Sequence, residues 1–244
     1  MKLTVLGNNG PFPGPGGACS GYLVQEENVN ILLDCGSGVL SNLQKFTPFE
    51  QLDAVILTHL HSDHMSDMLV LRYALQIKRA RNSEIGKLKV YAPSEPADQF
   101  ELLKSVPDFE VYEITADTSL DIGGIKITFG SMRHPFKCYG VCMEYNSKKF
   151  VYSGDTSWDE GILSFFENAD LLLLDAGLMA KDKKSDNVPH LTADECGKVA
   201  GIANVKRLLL THFSPLYKTE DLLEEAKRNF GNTETSQLLK SYNI

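Results

Sequence analysis

The sequence predicts an α/β fold in which strands and helices are mixed along the whole chain. Short β-rich apolar runs recur, and helical patterns lie between them. No Pro/Gly/Ser-rich linker or low-complexity tract divides the 244 residues. Because strands and helices that alternate in this way pack as α/β layers, we expect a single domain over residues 1–244.

The predicted strands are short, and several are continuous apolar runs that suit burial on both faces of a sheet. They cover residues 3–6, 21–25, 30–34, 54–58, 89–92, 125–129, 141–145, 150–153, 171–175 and 207–211. Helical periodicity covers residues 39–46, 66–81, 94–105, 159–168, 192–203 and 219–229. Thr192 and Glu195 have the spacing of a capping box, which places a helix start at Thr192.

Composition limits the classes of partner. The formal net charge is −8, which argues against a large electrostatic footprint on nucleic acid or on an anionic membrane. The five cysteines are odd in number and scattered, which favours a reduced, cytoplasmic compartment. No run approaches the roughly 20 apolar residues of a membrane span, and the first residues do not form a secretory signal.

Four metal-binding side chains are crowded into six positions: His59, His61, Asp63 and His64. In an extended segment His59 and His61 point the same way. Imidazole and carboxylate ligands suit zinc or another borderline divalent cation. The alternative is a loop of solvent-exposed histidines, which gives no reason for so many ligands at one strand end. The sequence therefore predicts a metal site here.

A short similarity links the two halves of the chain. Residues 55–59 and 208–212 are both apolar runs that end in Thr-His. This suggests two similar halves, each of which delivers a histidine from a strand end to a shared cleft.

The pattern His-x-His-x-Asp-His after an apolar strand resembles the signature of the metallo-β-lactamase superfamily. Other residues match further landmarks of that superfamily in order: Asp34, His134, Asp155 and His212. The resemblance spans the chain. It implies an αββα sandwich with metals at one edge, between two sheets.

The resemblance also implies two metal sites. One would take His59, His61, His134 and a shared Asp155, and the other Asp63, His64, His212 and the same Asp155. The ions would be zinc, with manganese as the alternative, and would acidify a bridging water into a nucleophile, so that Asp63 serves catalysis as well. Asp34 would orient a ligand from outside the metal shell, or else only form a turn.

Some branches of the superfamily fit poorly, since redox-active diiron members replace His61 and true β-lactamases lack Asp155. Asp175, followed by His190 at a helix start, looks like the ribonuclease Z branch, although that branch usually has glutamate at position 175 and threonine at position 177. The likeness implies a catalytic His190 oriented by Asp175. The alternative is an ordinary histidine at a helix start.

Ribonuclease Z enzymes usually insert a tRNA-gripping arm between the histidine and aspartate that match His134 and Asp155, but these are only 21 positions apart here. The chain is therefore closer to compact relatives such as the anti-Pycsar cyclic-nucleotide phosphodiesterases. We expect a homodimer that hydrolyses small 3′,5′-cyclic mononucleotides by attack of a metal-bound hydroxide, without a stable nucleic-acid complex. A tRNA 3′-end endonuclease, an ester, thioester or lactone hydrolase, and a metal-bound binding module are the alternatives.

Two further groups of residues are candidates for contact with the substrate. Lys137 or Tyr139 follows a predicted ligand closely and could face the pocket. A basic stretch on the long helix could meet phosphates, or it could be a solvated helix face; its residues are Arg72, Lys78, Arg79 and Arg81.

Overall fold

Two seven-stranded β-sheets form the centre of the protein in a computed structural model that describes residues 1–82, 84–185 and 188–244. The first sheet contains β1 (Lys2–Gly7), β2 (Gly21–Glu26), β3 (Val29–Leu33), β4 (Ala54–Ile56), β5 (Leu88–Ala92), β6 (Phe109–Glu113) and β14 (Ser241–Asn243). The second contains β7 (Ser119–Ile122), β8 (Ile125–Ser131), β9 (Tyr139–Tyr145), β10 (Lys148–Tyr152), β11 (Leu171–Asp175), β12 (Leu208–Thr211) and β13 (Thr233–Thr235).

The two sheets have the same pairing pattern, as expected for two similar halves. The strand orders are β14-β1-β2-β3-β4-β5-β6 and β7-β8-β9-β10-β11-β12-β13. In each order three antiparallel pairings are followed by three parallel ones. β4 is fifth in its sheet, whereas β12 is sixth. The Thr-His similarity between residues 55–59 and 208–212 therefore does not join equivalent strands.

Seven helices cover the outer faces of the sheets in the described part of the chain: α1 (Val39–Leu43), α2 (Ser62–Met65), α3 (Met68–Arg81), α4 (Ala97–Lys104), α5 (Leu163–Phe166), α6 (Ala193–Ile202) and α7 (Thr219–Lys227). One apolar core lies between the first sheet and its helices, and includes Leu71 and Phe100. A second lies between the sheets, and a third lies under α5–α7. The predicted αββα sandwich is confirmed.

All ten predicted strands are present, with ends within two residues of the prediction. The predicted helix over 66–81 is present as α3, which begins at Met68, and a separate one-turn helix, α2, precedes it at Ser62–Met65. The predicted helix over 159–168 is a 3₁₀ turn, Glu160–Ile162, followed by the single-turn α5. Sequence patterns missed β6, β7, β13 and β14, which are the four edge strands of the two sheets.

The chain between His134 and Asp155 is a tight hairpin. It consists of β9, β10 and a turn, which leaves no room for an inserted arm. Among the described residues, no helix combines the length and the apolar character that a membrane crossing requires.

The basic stretch on α3 is engaged by groups of its own chain. The Nζ of Lys78 lies 2.5 Å from Glu50 Oε1, and Arg79 forms an ion pair with Asp108. Arg72 donates to the hydroxyl of its neighbour Tyr73 over 2.9 Å. These contacts account for three of the four basic residues without a phosphate ligand.

The capping box at the start of α6 is confirmed. Thr192 Oγ1 accepts from the backbone N–H of Glu195 (3.2 Å), and Glu195 Oε2 accepts from the backbone N–H of Thr192 (2.9 Å). We expect Thr192→Ala to lower the free energy of unfolding by about 1 kcal/mol, because one helix N–H loses its acceptor. Urea unfolding with saturating zinc measures this. Thr219→Ala, at the first residue of α7, whose N-cap is Lys218, is the control. An unchanged midpoint in Thr192→Ala would contradict the assignment.

Candidate metal centre

The predicted ligands all lie at the carboxyl ends of strands or in α2. His59 and His61 follow β4, while Asp63 and His64 lie in α2. The other three follow strands of the second sheet, and they are His134 after β8, Asp155 after β10 and His212 after β12. Left-handed backbone turns the chain sharply at His212 (φ 58°) and at Gly154 (φ 62°), just before Asp155. Both halves therefore present ligands to one cleft.

A first set of donor atoms is formed by His59, His61, His134 and Asp155. His61 Nδ1 lies 3.0 Å from His59 Nε2 and 3.1 Å from His134 Nε2. Asp155 Oδ2 lies 3.6 Å from His59 Nε2. Three imidazole nitrogens and one carboxylate oxygen thus converge on a single point.

A second set is formed by Asp63, His64, Asp155 and His212. His64 Nε2 lies 3.5 Å from Asp63 Oδ2 and 3.3 Å from Asp155 Oδ1. His212 Nε2 lies 3.9 Å from Asp63 Oδ2. Asp155 gives one oxygen to each set, so it links them.

Both sets fit a divalent cation. Ligands held at about 2.0–2.2 Å from a tetrahedral ion are themselves about 3.3–3.6 Å apart, which is close to the separations seen. Four buried atoms of the second set have no hydrogen-bond partner among the described residues: Asp63 Oδ2, His64 Nε2, Asp155 Oδ1 and His212 Nε2. Buried polar atoms without partners are costly, and a cation would satisfy all four at once.

In the first set, the pKa values of the ligands favour binding of a cation. Burial lowers the pKa of His59, His61 and His134, which keeps them as the neutral imidazoles that a cation binds. Burial alone would raise the pKa of Asp155. The neighbouring histidines outweigh it and hold that pKa well below its usual range, so the carboxylate is ionised.

Four of the five histidines in the donor sets have a ring nitrogen held by a group outside those sets, which orients the ring. The distances are 2.8 Å from His64 Nδ1 to Asp34 Oδ2, 3.1 Å from His212 Nδ1 to Ser20 Oγ, 3.1 Å from His59 Nδ1 to Thr58 Oγ1 and 3.3 Å from His134 Nδ1 to the Pro189 carbonyl. Sequence patterns identified only Asp34 among these partners. The others are a hydroxyl or a carbonyl that any loop contains.

Asp34 lies outside both donor sets and organises them from behind. It is fully buried, and Oδ1 accepts from the backbone N–H of Thr58 (2.8 Å). Its Oδ2 accepts from the hydroxyl of Tyr152 (2.9 Å) and faces His64. This position agrees with the orienting role that the sequence predicts for Asp34.

His190 and Asp175 form a pair beside the second set. His190 Nδ1 lies 2.9 Å from Asp175 Oδ2, and its ring stacks on His212 with centroids 5.1 Å apart. Burial lowers the pKa of His190, but the contact with Asp175 outweighs it and raises that pKa to about 9. A Cβ at position 177 would lie 3.3 Å from the His190 ring, so Gly177 leaves room for this ring.

The loop after His134 forms the wall beside the first set. Lys137 Nζ pairs with Glu95 Oε1 at 2.9 Å, and Tyr139 is buried. Both line a cavity of about 310 Å³ next to His134. Phe136, which sequence patterns did not single out, places its exposed ring 4.8 Å from the ring of His61.

Fold and donor sets together define a class, the metal-dependent hydrolases built as an αββα sandwich. Residues 29–213 match the model of the "Beta-lactamase superfamily domain". The chain belongs to the metallo-β-lactamase superfamily.

Relatives and solved structures agree with this membership. The chain is 35% identical to the "Probable metallo-hydrolase YhfI" of Bacillus subtilis, over 94% of each chain. It is 28% identical to a ribonuclease Z of Ignicoccus hospitalis, over 94% of this chain and 93% of that one. The crystal structure of YhfI superposes with a TM-score of 0.94 and 33% identity, covering 99% and 98% of the chains. The short form of human tRNase Z shares the fold, with a TM-score of 0.78 and 22% identity over 100% and 99%.

Gly10 presses against His212, which gives a test of the second set. A Cβ at position 10 would lie 1.9 Å from the imidazole, so Gly10→Ala must displace that ring. We expect zinc affinity at the second set to fall by about 10–100-fold, as for other losses of ligand orientation. Metal titration with calorimetry measures this. Gly14→Ala is the control, because a Cβ there makes only an ordinary 3.6 Å contact with Pro215. Wild-type zinc affinity in Gly10→Ala would contradict the role of His212.

Proposed function

We propose that the protein is a phosphodiesterase that binds two divalent cations, most simply zinc, and hydrolyses 3′,5′-cyclic mononucleotides. The pair of Asp175 and His190 carries the proposal. It stands beside the second donor set, and its imidazole contacts Asp175 through Nδ1, which leaves Nε2 without a partner among the described residues. A proton donor at this point suits the departure of a ribose alkoxide, which is a poor leaving group.

The donor sets, Asp175 and His190 have different roles in the proposed reaction. Cations in the two donor sets supply Lewis acidity toward the phosphoryl group and acidify water. Asp175 accepts from the Nδ1–H of His190 and from the backbone N–H groups of Thr156 (3.2 Å) and Gly177 (3.0 Å), so it cannot turn away from the ring. His190 then donates the proton of Nε2 to the O3′ atom as the bond between phosphorus and O3′ breaks. Water provides the new oxygen on phosphorus, and the proton that it releases would pass to the carboxylate of Asp63.

The short hairpin between His134 and Asp155 favours a small substrate. No arm extends from β9 and β10, and the net charge of the chain is −8. Both features favour a small nucleotide over a folded RNA. Similarity to a ribonuclease Z supports phosphodiester chemistry and makes tRNA 3′-end cleavage the second candidate.

Zinc-loaded protein incubated with 3′,5′-cyclic AMP, GMP, CMP and UMP tests the proposal. We expect linear mononucleotides, and we expect chelation followed by zinc return to abolish and restore their formation. Precursor tRNA, a thioester and a lactone are assayed in parallel. Cleavage of precursor tRNA, or of an ester alone, without turnover of any cyclic nucleotide would overturn the proposal.

His190→Ala tests the proton donor. We expect kcat for the preferred cyclic nucleotide to fall by about 10²–10⁴-fold. Turnover of bis(p-nitrophenyl) phosphate should fall by less than about 10-fold, because nitrophenolate leaves without a proton. Metal content is measured alongside, and Lys181→Ala, an exposed change in the preceding loop, is the control. Equal losses on both substrates would refute the role of His190 as acid.

A further inference from the structure

Phe136 is a large apolar side chain exposed beside a polar site. Its side chain is 40% exposed, and its ring meets the ring of His61 edge to face with centroids 4.8 Å apart. It belongs to none of the three apolar cores formed by the described residues. One side of the Phe136 ring therefore contacts His61, a predicted cation ligand. The exposed part of the ring is accessible to a ligand from solvent.

A cavity of about 310 Å³ opens beside this ring. Its lining includes Glu95, Met132, His134, Phe136, Lys137 and Tyr139. The lining combines apolar and aromatic surface with one charged pair, Lys137 and Glu95, whose side chains are 44% and 54% exposed. A planar heteroaromatic ring with polar edges matches this mixture, because its faces stack on an aromatic side chain and its edges hydrogen-bond.

The direction from the donor sets to the cavity also fits a nucleotide. His134 belongs to the first donor set and also lines the cavity, and His61 of the same set contacts the Phe136 ring. A phosphoryl group at the donor sets would leave its sugar and base pointing along this wall. Only the imidazole of His61 separates Phe136 from the first donor set, because the two rings are in contact.

We propose that Phe136 is the platform on which the nucleobase of the substrate stacks, and that the cavity beside it is the base subsite. This inference rests on the proposed phosphodiesterase function and adds how the substrate is held. Because every base has an aromatic face, stacking on Phe136 accepts purines and pyrimidines alike. Discrimination between bases then falls to Lys137 and Glu95 at the base edge.

Kinetics of Phe136→Ala test the subsite. We expect KM for 3′,5′-cyclic AMP to rise roughly 5- to 150-fold, which is the usual effect of losing one stacked base, with kcat within about 3-fold. Methyl ribofuranoside 3′,5′-cyclic phosphate has no base, so its kcat/KM should be the same in both proteins. Phe136→Trp should restore the wild-type KM. Tyr112→Ala removes an equally exposed aromatic ring from edge strand β6 and is the matched control.

The outcomes separate the subsite from the activity. An equal loss of kcat/KM on the baseless substrate, or a loss in kcat alone, means that Phe136 only holds His61, and overturns the subsite. If the wild-type protein turns over no cyclic nucleotide, equilibrium binding of AMP decides. Weaker AMP binding in Phe136→Ala than in Tyr112→Ala keeps the subsite while the proposed activity fails. Equal AMP binding in the two variants, or none in the wild type, overturns the subsite.

Discussion

The rest of the site depends on the hydrogen bonds of the buried Asp34 carboxylate. Its two oxygens hold the backbone N–H of Thr58, which fixes the segment that carries His59, and the Nδ1 of His64 in α2. The Tyr152 hydroxyl adds a contact from the second sheet. Each partner left unsatisfied in the interior would cost about 1–3 kcal/mol. One side chain therefore orients a member of each donor set and joins the two halves of the protein.

The two sheets are alike in topology but unequal in chemistry. In the first sheet only the end of β4, with the helix that follows, provides ligands, whereas β8, β10 and β12 each provide one in the second. The end of β11 adds Asp175, which holds His190. Two sheets of similar topology thus face each other across the cleft, and the pair of Asp175 and His190 belongs entirely to the second one. An asymmetric substrate is consequently approached from two chemically different sides.

Sequence patterns predicted the central strands and missed the edges for one physical reason. A strand buried on both faces, such as β11, needs a continuous apolar run, and such runs are visible in the sequence. Edge strands such as β7 and β13 are short and half exposed, so their composition matches that of loops. The cluster from His59 to His64 was predictable because metal-binding residue types are few, whereas His134, Asp155 and His212 came from the resemblance to the superfamily. Ser20 and the Pro189 carbonyl were not predictable, since only the tertiary fold brings them to a histidine, just as it brings Tyr152 to Asp34.

The unsatisfied atoms of the second donor set have a thermodynamic consequence. The native chain buries these atoms, while the unfolded chain leaves them in water, so their burial without a cation would oppose folding. A ligand that binds only the native state reverses this; a cation at about 100 times its dissociation constant adds about 2.7 kcal/mol. Ion supply and conformational stability are therefore linked equilibria in this protein. The abundance of the folded form is set partly by the free concentration of the ion.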